Sequence, residues 1–231
     1  MIPAVPMVAL DPRPQRAIVL SAGGLASTVV LHWLIEAGTH VAVLSCDIGS
    51  PSPGLRYAAA TTQQLGCDHR VVDLSPVLTA IGAHPNPNRA TALIQVSNGL
   101  AIALDLAVAW AIHRGADAVL VGIHAEDTLI RPECNTRFLA AFTRQAVLGN
   151  LTLSAQRFTI RAPLAELTVA EIVRLGNNLT IAWERTWSCH RSGPTHCGRC
   201  SGCRRRRGAF TATTITDPTH YHDYDDGPAT P

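Results

Sequence analysis

The feature that most narrows what this chain can fold into lies near its end, where four cysteines fall as C-x7-C-x2-C-x2-C at Cys189, Cys197, Cys200 and Cys203. Two consecutive C-x2-C steps aim thiolates at one centre, and Cys189 closes a tetrahedral set from the preceding segment. His190 to His196 and Gly198-Arg199, which separate them, are turn formers and polar residues with almost nothing to bury. Something other than an apolar core must hold such a loop. A structural zinc does so, because its binding contributes on the order of 10 kcal/mol or more and is coupled to folding. Disulfides are the alternative reading. Met1 to Leu10 lacks a basic flank and is soon broken by Asp11, Pro12 and Pro14, so it reads as no signal peptide, and the other three cysteines are scattered singly. Both points favour zinc. A closed four-thiolate site has no open position for substrate, so its expected role is structural. His190 and His196 stand beside the ligands as competitors for a place.

Composition excludes some chemistries. All nineteen basic residues are arginine, so no phosphate-binding or Schiff-base lysine exists in the chain, including the lysine of a Walker P-loop. A net charge of +2 gives no general drive toward nucleic acid or membrane. The longest apolar stretch, Leu100 to Ile112, is interrupted by Asp105 and too short to span a bilayer. A soluble, cytoplasmic protein is expected.

Ala17-Ile18-Val19-Leu20 is a short apolar run ending in Ser21-Ala22-Gly23-Gly24, followed by helix-compatible spacing from Leu25 to Ala37. The alternation continues with strands at Val41–Ser45, His69–Leu74, Ala118–Val121 and Arg157–Arg161. Helices are expected at Gly54–Leu65, Ser97–Arg114, Asn135–Leu148, Leu167–Gly176 and Cys203–Ala212. Buried strands separated by helices indicate an α/β fold, a doubly wound, mostly parallel sheet of about five strands. The expected organisation is an α/β domain over 15–180, a zinc loop and final helix over 181–215, and an irregular tail over 216–231. Ser75 to Ala92, with Pro76, Pro85, Pro87 and two asparagines, reads as a long irregular connection. Thr168 with Glu171 forms a capping box.

Four stretches carry candidate chemistry. A strand followed by Gly23-Gly24 at a helix start can cradle phosphate, with Ser27 and Thr28 adding hydroxyls, although many α/β proteins use such glycines only for packing. Glu126 and Asp127 fall just past the carboxyl end of the fourth strand, where open α/β sheets bind ligands. Arg199 and the run Arg204 to Arg207 could face nucleic acid, but such a run is most often a solvated helix face. His220, His222, Asp223 and Asp225 could bind metal, against the plainer reading of a solvated tail.

Taken in order, Leu20 to Thr28, Val43 to Gly49, Gly122 to Asp127, Pro132-Glu133-Cys134, Leu167 to Ile172, Thr186 to Cys203, and Ala209-Phe210 with Asp217-Pro218-Thr219 resemble the 7-cyano-7-deazaguanine synthase family of queuosine biosynthesis. The Thr-Trp-Ser-Cys opening with its cysteine spacing is the most specific part. The resemblance implies an ATP-pyrophosphatase-type (PP-loop) fold with a structural zinc, assembled as a homodimer. It implies activation of the carboxylate of 7-carboxy-7-deazaguanine by ATP with its Mg2+, attack by ammonia to give an amide, and dehydration to a nitrile. On this reading Gly23, Gly24, Ser27 and Thr28 hold phosphate, and Asp47, Asp127 and Glu133 line the nucleotide and purine pocket, where a carboxylate accepts from a guanine-like N–H edge.

The chain departs from the family pattern in the nucleotide motif. Where the family has Ser-Gly-Gly-x-Asp-Ser, this chain has Ala22, Gly23, Gly24, Leu25, Ala26 and Ser27. The family's lysine falls on Val169, its Arg-Asn pair on Gly99 and Leu100, and its arginine after Pro-Asp-Cys on Asn135. Three functional classes follow: a diverged ATP-dependent ligase acting on a 7-deazapurine, an inactive homologue that binds a deazaguanine or nucleotide or serves as a partner subunit, and a zinc-dependent nucleic-acid module.

Overall fold

A computed structural model describes residues 13–49, 53–83, 96–154, 156–191 and 193–222. Five strands, β1 (Arg16–Leu20), β2 (His40–Asp47), β3 (Asp68–Asp73), β4 (Ala118–Val121) and β5 (Thr159–Arg161), form one sheet in the order β3-β2-β1-β4-β5. Every pairing is parallel. The α/β class and the strand number expected from the sequence are borne out.

Alternation along the strands divides the core in two. Ala17 and Val19 of β1, Val43 of β2, and Ala118 and Leu120 of β4 face α1 (Leu25–Glu36), α7 (Val169–Asn178) and α8 (Ser201–Thr211). Ile18, Ala42, Leu44, Val119, Val121 and Ile160 face α4 (Gly99–Arg114) and α6 (Thr136–Gly149). Val29, Val30 and Leu31 of α1 are completely buried, each worth about 1.5–3 kcal/mol relative to exposure. The central strands are covered on both faces, whereas β3 is an edge strand with most of its residues exposed or half-buried. The expectation that His69–Leu74 is a buried strand therefore does not hold.

Two further corrections concern short helices. Ser75–Ala80 forms α3, after α2 (Gly54–Gln64), although Pro76 suggested irregular chain. Proline in the first helical turn forfeits no hydrogen bond and supplies a helical φ, so Pro76 starts this helix instead of breaking it. Residues 84–92 of the expected connection lie outside the described residues. Glu126 and Asp127 sit in the first turn of α5 (Ala125–Ile130), which buries no residue and so leaves no apolar periodicity to read.

Thr168 caps α7, accepting from the Glu171 N–H while Glu171 accepts from the Thr168 N–H at 2.8 Å. No helix among the described residues is long and apolar enough to cross a membrane.

Candidate active site and metal centre

In the strand order β3-β2-β1-β4-β5 the chain winds outward in opposite directions from β1 and β4. Connections from these two strands leave on opposite faces, opening a crevice beyond their carboxyl ends. A cleft of about 1130 Å³ lies there, walled by the turn after β1, by residues 121–133, and by the cysteine loop with the start of α8.

The glycine turn is shaped by steric need. Gly23 has φ +74°, and a Cβ on it would lie 2.2 Å from the Gly54 carbonyl oxygen. Its N–H donates to Ser21 Oγ at 3.2 Å and its carbonyl accepts from the Trp187 N–H at 2.7 Å. Gly24 is the N-cap of α1, and its carbonyl accepts from Thr28 Oγ1 at 2.8 Å. Ser27 Oγ lies 3.0 Å from Ser21 Oγ. At Gly122 a Cβ would meet the Ser27 nitrogen at 2.4 Å, so this glycine lets the end of β4 press against α1.

The structure brings Gly24, Ser27, Asp127 and Glu133 to one cleft, the first two at the start of α1 and the last two on the segment after β4. Gly23, Thr28 and Asp47 lie elsewhere. Gly23 and Thr28 spend their polar groups inside the turn, and Asp47 accepts from its own loop at the Gly49 N–H, 2.9 Å away. Cys46 is on the wall in its place, its thiol pushed up to about 11 by burial, which keeps it protonated and poorly nucleophilic near neutral pH.

On the β4 side, charge converges on His124. Its Nε2 lies 3.1 Å from Asp127 Oδ2, and Arg205 Nη1 of α8 reaches both His124 Nε2 and Asp127 Oδ1 at 3.3 Å. His124 Nδ1 is 3.0 Å from Glu126 Oε2, and neither atom has a hydrogen-bond partner among the described residues. Burial lowers the His124 pKa, and the charge of Asp127 opposes this. Glu126 Oε1 accepts from the Val169 N–H at 3.1 Å, holding α5 to the start of α7. Asn135 caps α6, accepting from the Phe138 N–H at 2.8 Å.

The four cysteine sulfurs lie within 4.8 Å of one another. Cys189–Cys200 and Cys197–Cys203 separations are 3.8 and 4.0 Å, too long for disulfides and close to the roughly 3.8 Å edge of a tetrahedron built on Zn–S distances of about 2.3 Å. Backbone N–H groups of His190, Arg191, Cys197, Cys200 and Cys203 donate to these sulfurs at 3.3–3.4 Å. Such donors favour the thiolate form a metal requires. The donor set fits a closed metal site. Neither histidine joins it: His196 Nε2 accepts from the Ser188 N–H at 3.0 Å, and His190 Nδ1 pairs with Ser201 Oγ at 3.2 Å.

The arginine run does not form a uniform solvated face. Arg206 is 1% exposed, donating to Thr186 Oγ1 and the Trp183 carbonyl, each at 2.7 Å. Its Nε reaches Asp217 Oδ1 at 3.4 Å, and Asp217 also accepts from Tyr221 Oη at 2.6 Å. Residues 217–222 form no helix or strand, and a bridge between His196 and Tyr221 docks this segment on the cysteine loop. Asp223 and Asp225 lie outside the described residues.

Residues 16–214 match the family model described as queuosine biosynthesis protein QueC. The chain belongs to this family. Among its QueC-family relatives, the 7-cyano-7-deazaguanine synthase of Rhizobium leguminosarum bv. trifolii is 33% identical over 230 residues, covering 91% of this chain and 94% of that protein. A 7-cyano-7-deazaguanine synthase 1 from Mesorhizobium japonicum is 33% identical over 223 residues, with 91% and 95% covered. An NMN synthetase structure from Francisella tularensis superposes on this QueC-family chain with a TM-score of 0.58 at 14% identity, covering 90% of this chain and 81% of that one; this likeness shows the fold alone.

Of the residues around this cleft, His124 was not singled out from the sequence, and Arg205 stood there only as one of the run Arg204 to Arg207, weighed for nucleic acid. A signal for the arginines existed. Four successive helical residues span about 300° of a helix, so at least one must point at whatever that helix packs against. Cys203, Arg206 and Phe210, spaced i, i+3 and i+7, mark the inward stripe.

Proposed function

We propose that this protein is an ATP-dependent 7-cyano-7-deazaguanine synthase, converting 7-carboxy-7-deazaguanine to its amide and then the nitrile with ammonia. The observation that carries this reading is family membership across 16–214 joined to a cleft at the β1/β4 switch point that Gly24, Ser27, Asp127 and Glu133 line. A carboxylate is a poor electrophile until its oxygen becomes a leaving group, so nucleotide phosphate and substrate carboxylate must share one water-poor crevice. Gly24 and Ser27, at the start of α1, face the phosphate side. Asp127 and Glu133 accept from the N–H edge of the deazapurine. Gly23 shapes the turn, Thr28 braces it, and Asp47 orders the loop behind it.

Cys189, Cys197, Cys200 and Cys203 hold zinc, which fastens the loop and the start of α8. Mg2+ enters with ATP as its counter-ion. The chain works as a homodimer on small-molecule substrates.

A second reading is an inactive homologue that binds deazaguanine or nucleotide, or supports a partner subunit. Ala22 and Ala26 offer no polar side chain to the cleft, and Val169 presents only an aliphatic side chain there. The test is incubation with 7-carboxy-7-deazaguanine, ATP and ammonia, following nucleotide products and the deazapurine by mass. Amide or nitrile formed with matching nucleotide turnover is the expected outcome. Deazapurine binding with no nucleotide turnover, the metal being in place, selects the second reading.

A further inference from the structure

The catalytic reading calls for a cation at the cleft, and with no lysine in the chain arginine is the side chain that is always charged. Arginines 131, 191, 204, 205 and 206 border the cleft. Arg206 is committed to the interior, its donors directed at Thr186, Trp183 and Asp217. Arg204 is exposed and donates back to the Arg199 carbonyl, and Arg191 is exposed. Arg131 is half-buried at the end of α5. Arg205 differs from Arg191 and Arg204. Its side chain is only 25% exposed, and one nitrogen, Nη1, is held between Asp127 Oδ1 and His124 Nε2.

Both restraints act through Nη1. Guanidinium presents five N–H donors in a fixed plane, so anchoring one nitrogen orients the remaining edge without consuming it. The rotamer entropy of a long side chain is thereby lost before a ligand arrives, which strengthens binding. The charge is also partly withdrawn from water, where its attraction for an anion is greater. We propose that Arg205 is the phosphate-binding cation of this cleft, presented by the metal-held helix α8 and aimed by Asp127 and His124. This rests on the ATP-dependent reading and assigns a residue to its phosphate side. Asp127 then has two duties: it lines the pocket and it orients the arginine.

The experiment is calorimetric binding of ATP, inorganic pyrophosphate and 7-carboxy-7-deazaguanine to the metal-loaded full-length protein, wild type and variants. Arg205→Gln, which keeps a polar side chain but shortens it and loses the charge, is expected to weaken ATP and pyrophosphate about 10- to 100-fold, the usual worth of a charge-assisted hydrogen bond. Deazapurine affinity should stay within about twofold, and Arg205→Lys should recover part of the loss because it restores charge without the fork. Arg207→Ala, on the side of α8 that stacks on Tyr221, is expected to bind all three like wild type. Metal content and urea midpoint report whether each variant is folded, and Arg205→Lys serves should the glutamine variant not fold, then expected to show a smaller but measurable phosphate loss. Phosphate ligands bound equally by wild type and both Arg205 variants, or a loss confined to the deazapurine, would overturn the assignment and leave the ATP-dependent reading standing. A wild-type protein that binds neither ATP nor pyrophosphate would overturn both.

Discussion

Replacing Arg206 by alanine tests the inward stripe of α8 most directly. The side chain is fully buried, its Nη1 and Nη2 donating at 2.7 Å to Thr186 Oγ1 and the Trp183 carbonyl and its Nε lying 3.4 Å from Asp217 Oδ1. Hydrogen bonds from a charged donor are worth about 1.5–3 kcal/mol each, and the two short ones dominate; the long Asp217 contact adds little by itself. Their removal takes one donor each from Thr186 Oγ1 and from the Trp183 carbonyl, which keeps the Thr186 N–H and hydroxyl, and leaves a carboxylate without its counter-charge and a void above the Phe210 ring, over which the guanidinium lies at 5.3 Å. We expect a loss of about 3–5 kcal/mol, read in urea unfolding of the metal-loaded protein as a lowered midpoint with an unchanged slope. Asp217→Asn should cost less in the Arg206→Ala background than in wild type, since the arginine that rewards the charge is gone. A loss below about 1 kcal/mol, or strictly additive effects of the two substitutions, would refute the view of Arg206 as an internal clamp.

Other outcomes follow from the same contacts. The purified protein should carry one zinc per chain, and Cys200→Ser should release it and expose residues 186–203 to hydrogen exchange, while amides of β1 and β4 stay protected. Gly23→Ala should destabilise by more than about 2 kcal/mol in thermal unfolding, because the left-handed backbone and the Gly54 carbonyl both oppose a Cβ. Burial pushes the Asp217 carboxyl up, but hydrogen bonds from Thr219 and Tyr221 and the Arg206 charge outweigh it and bring the pKa below its usual value. The folded state thus binds this proton more weakly than the unfolded one. Its stabilisation is complete above the unfolded carboxylate pKa of about 4 and is lost as pH falls through the depressed folded value. Acid unfolding of Asp217→Asn should accordingly be less steep below about pH 4 than that of wild type.

The sequence by itself determined the order of strands and helices, the capping box at Thr168–Glu171, the mutual approach of four cysteines and the family. These rest on short-range chemistry: apolar period, turn residues and ligand spacing act within a few residues. It misjudged β3, because an apolar run does not say whether a strand lies at the centre or the edge of its sheet. It missed α5, which buries nothing. Only the tertiary structure decided that β1 and β4 are neighbours, and with that the cleft where Gly24, Ser27, Asp127 and Glu133 meet. Only it set Arg206 inside the protein and Arg205 beside Asp127, 78 residues away in sequence. A charged side chain is buried where partners from other elements surround it, and those partners exist only once the chain has folded.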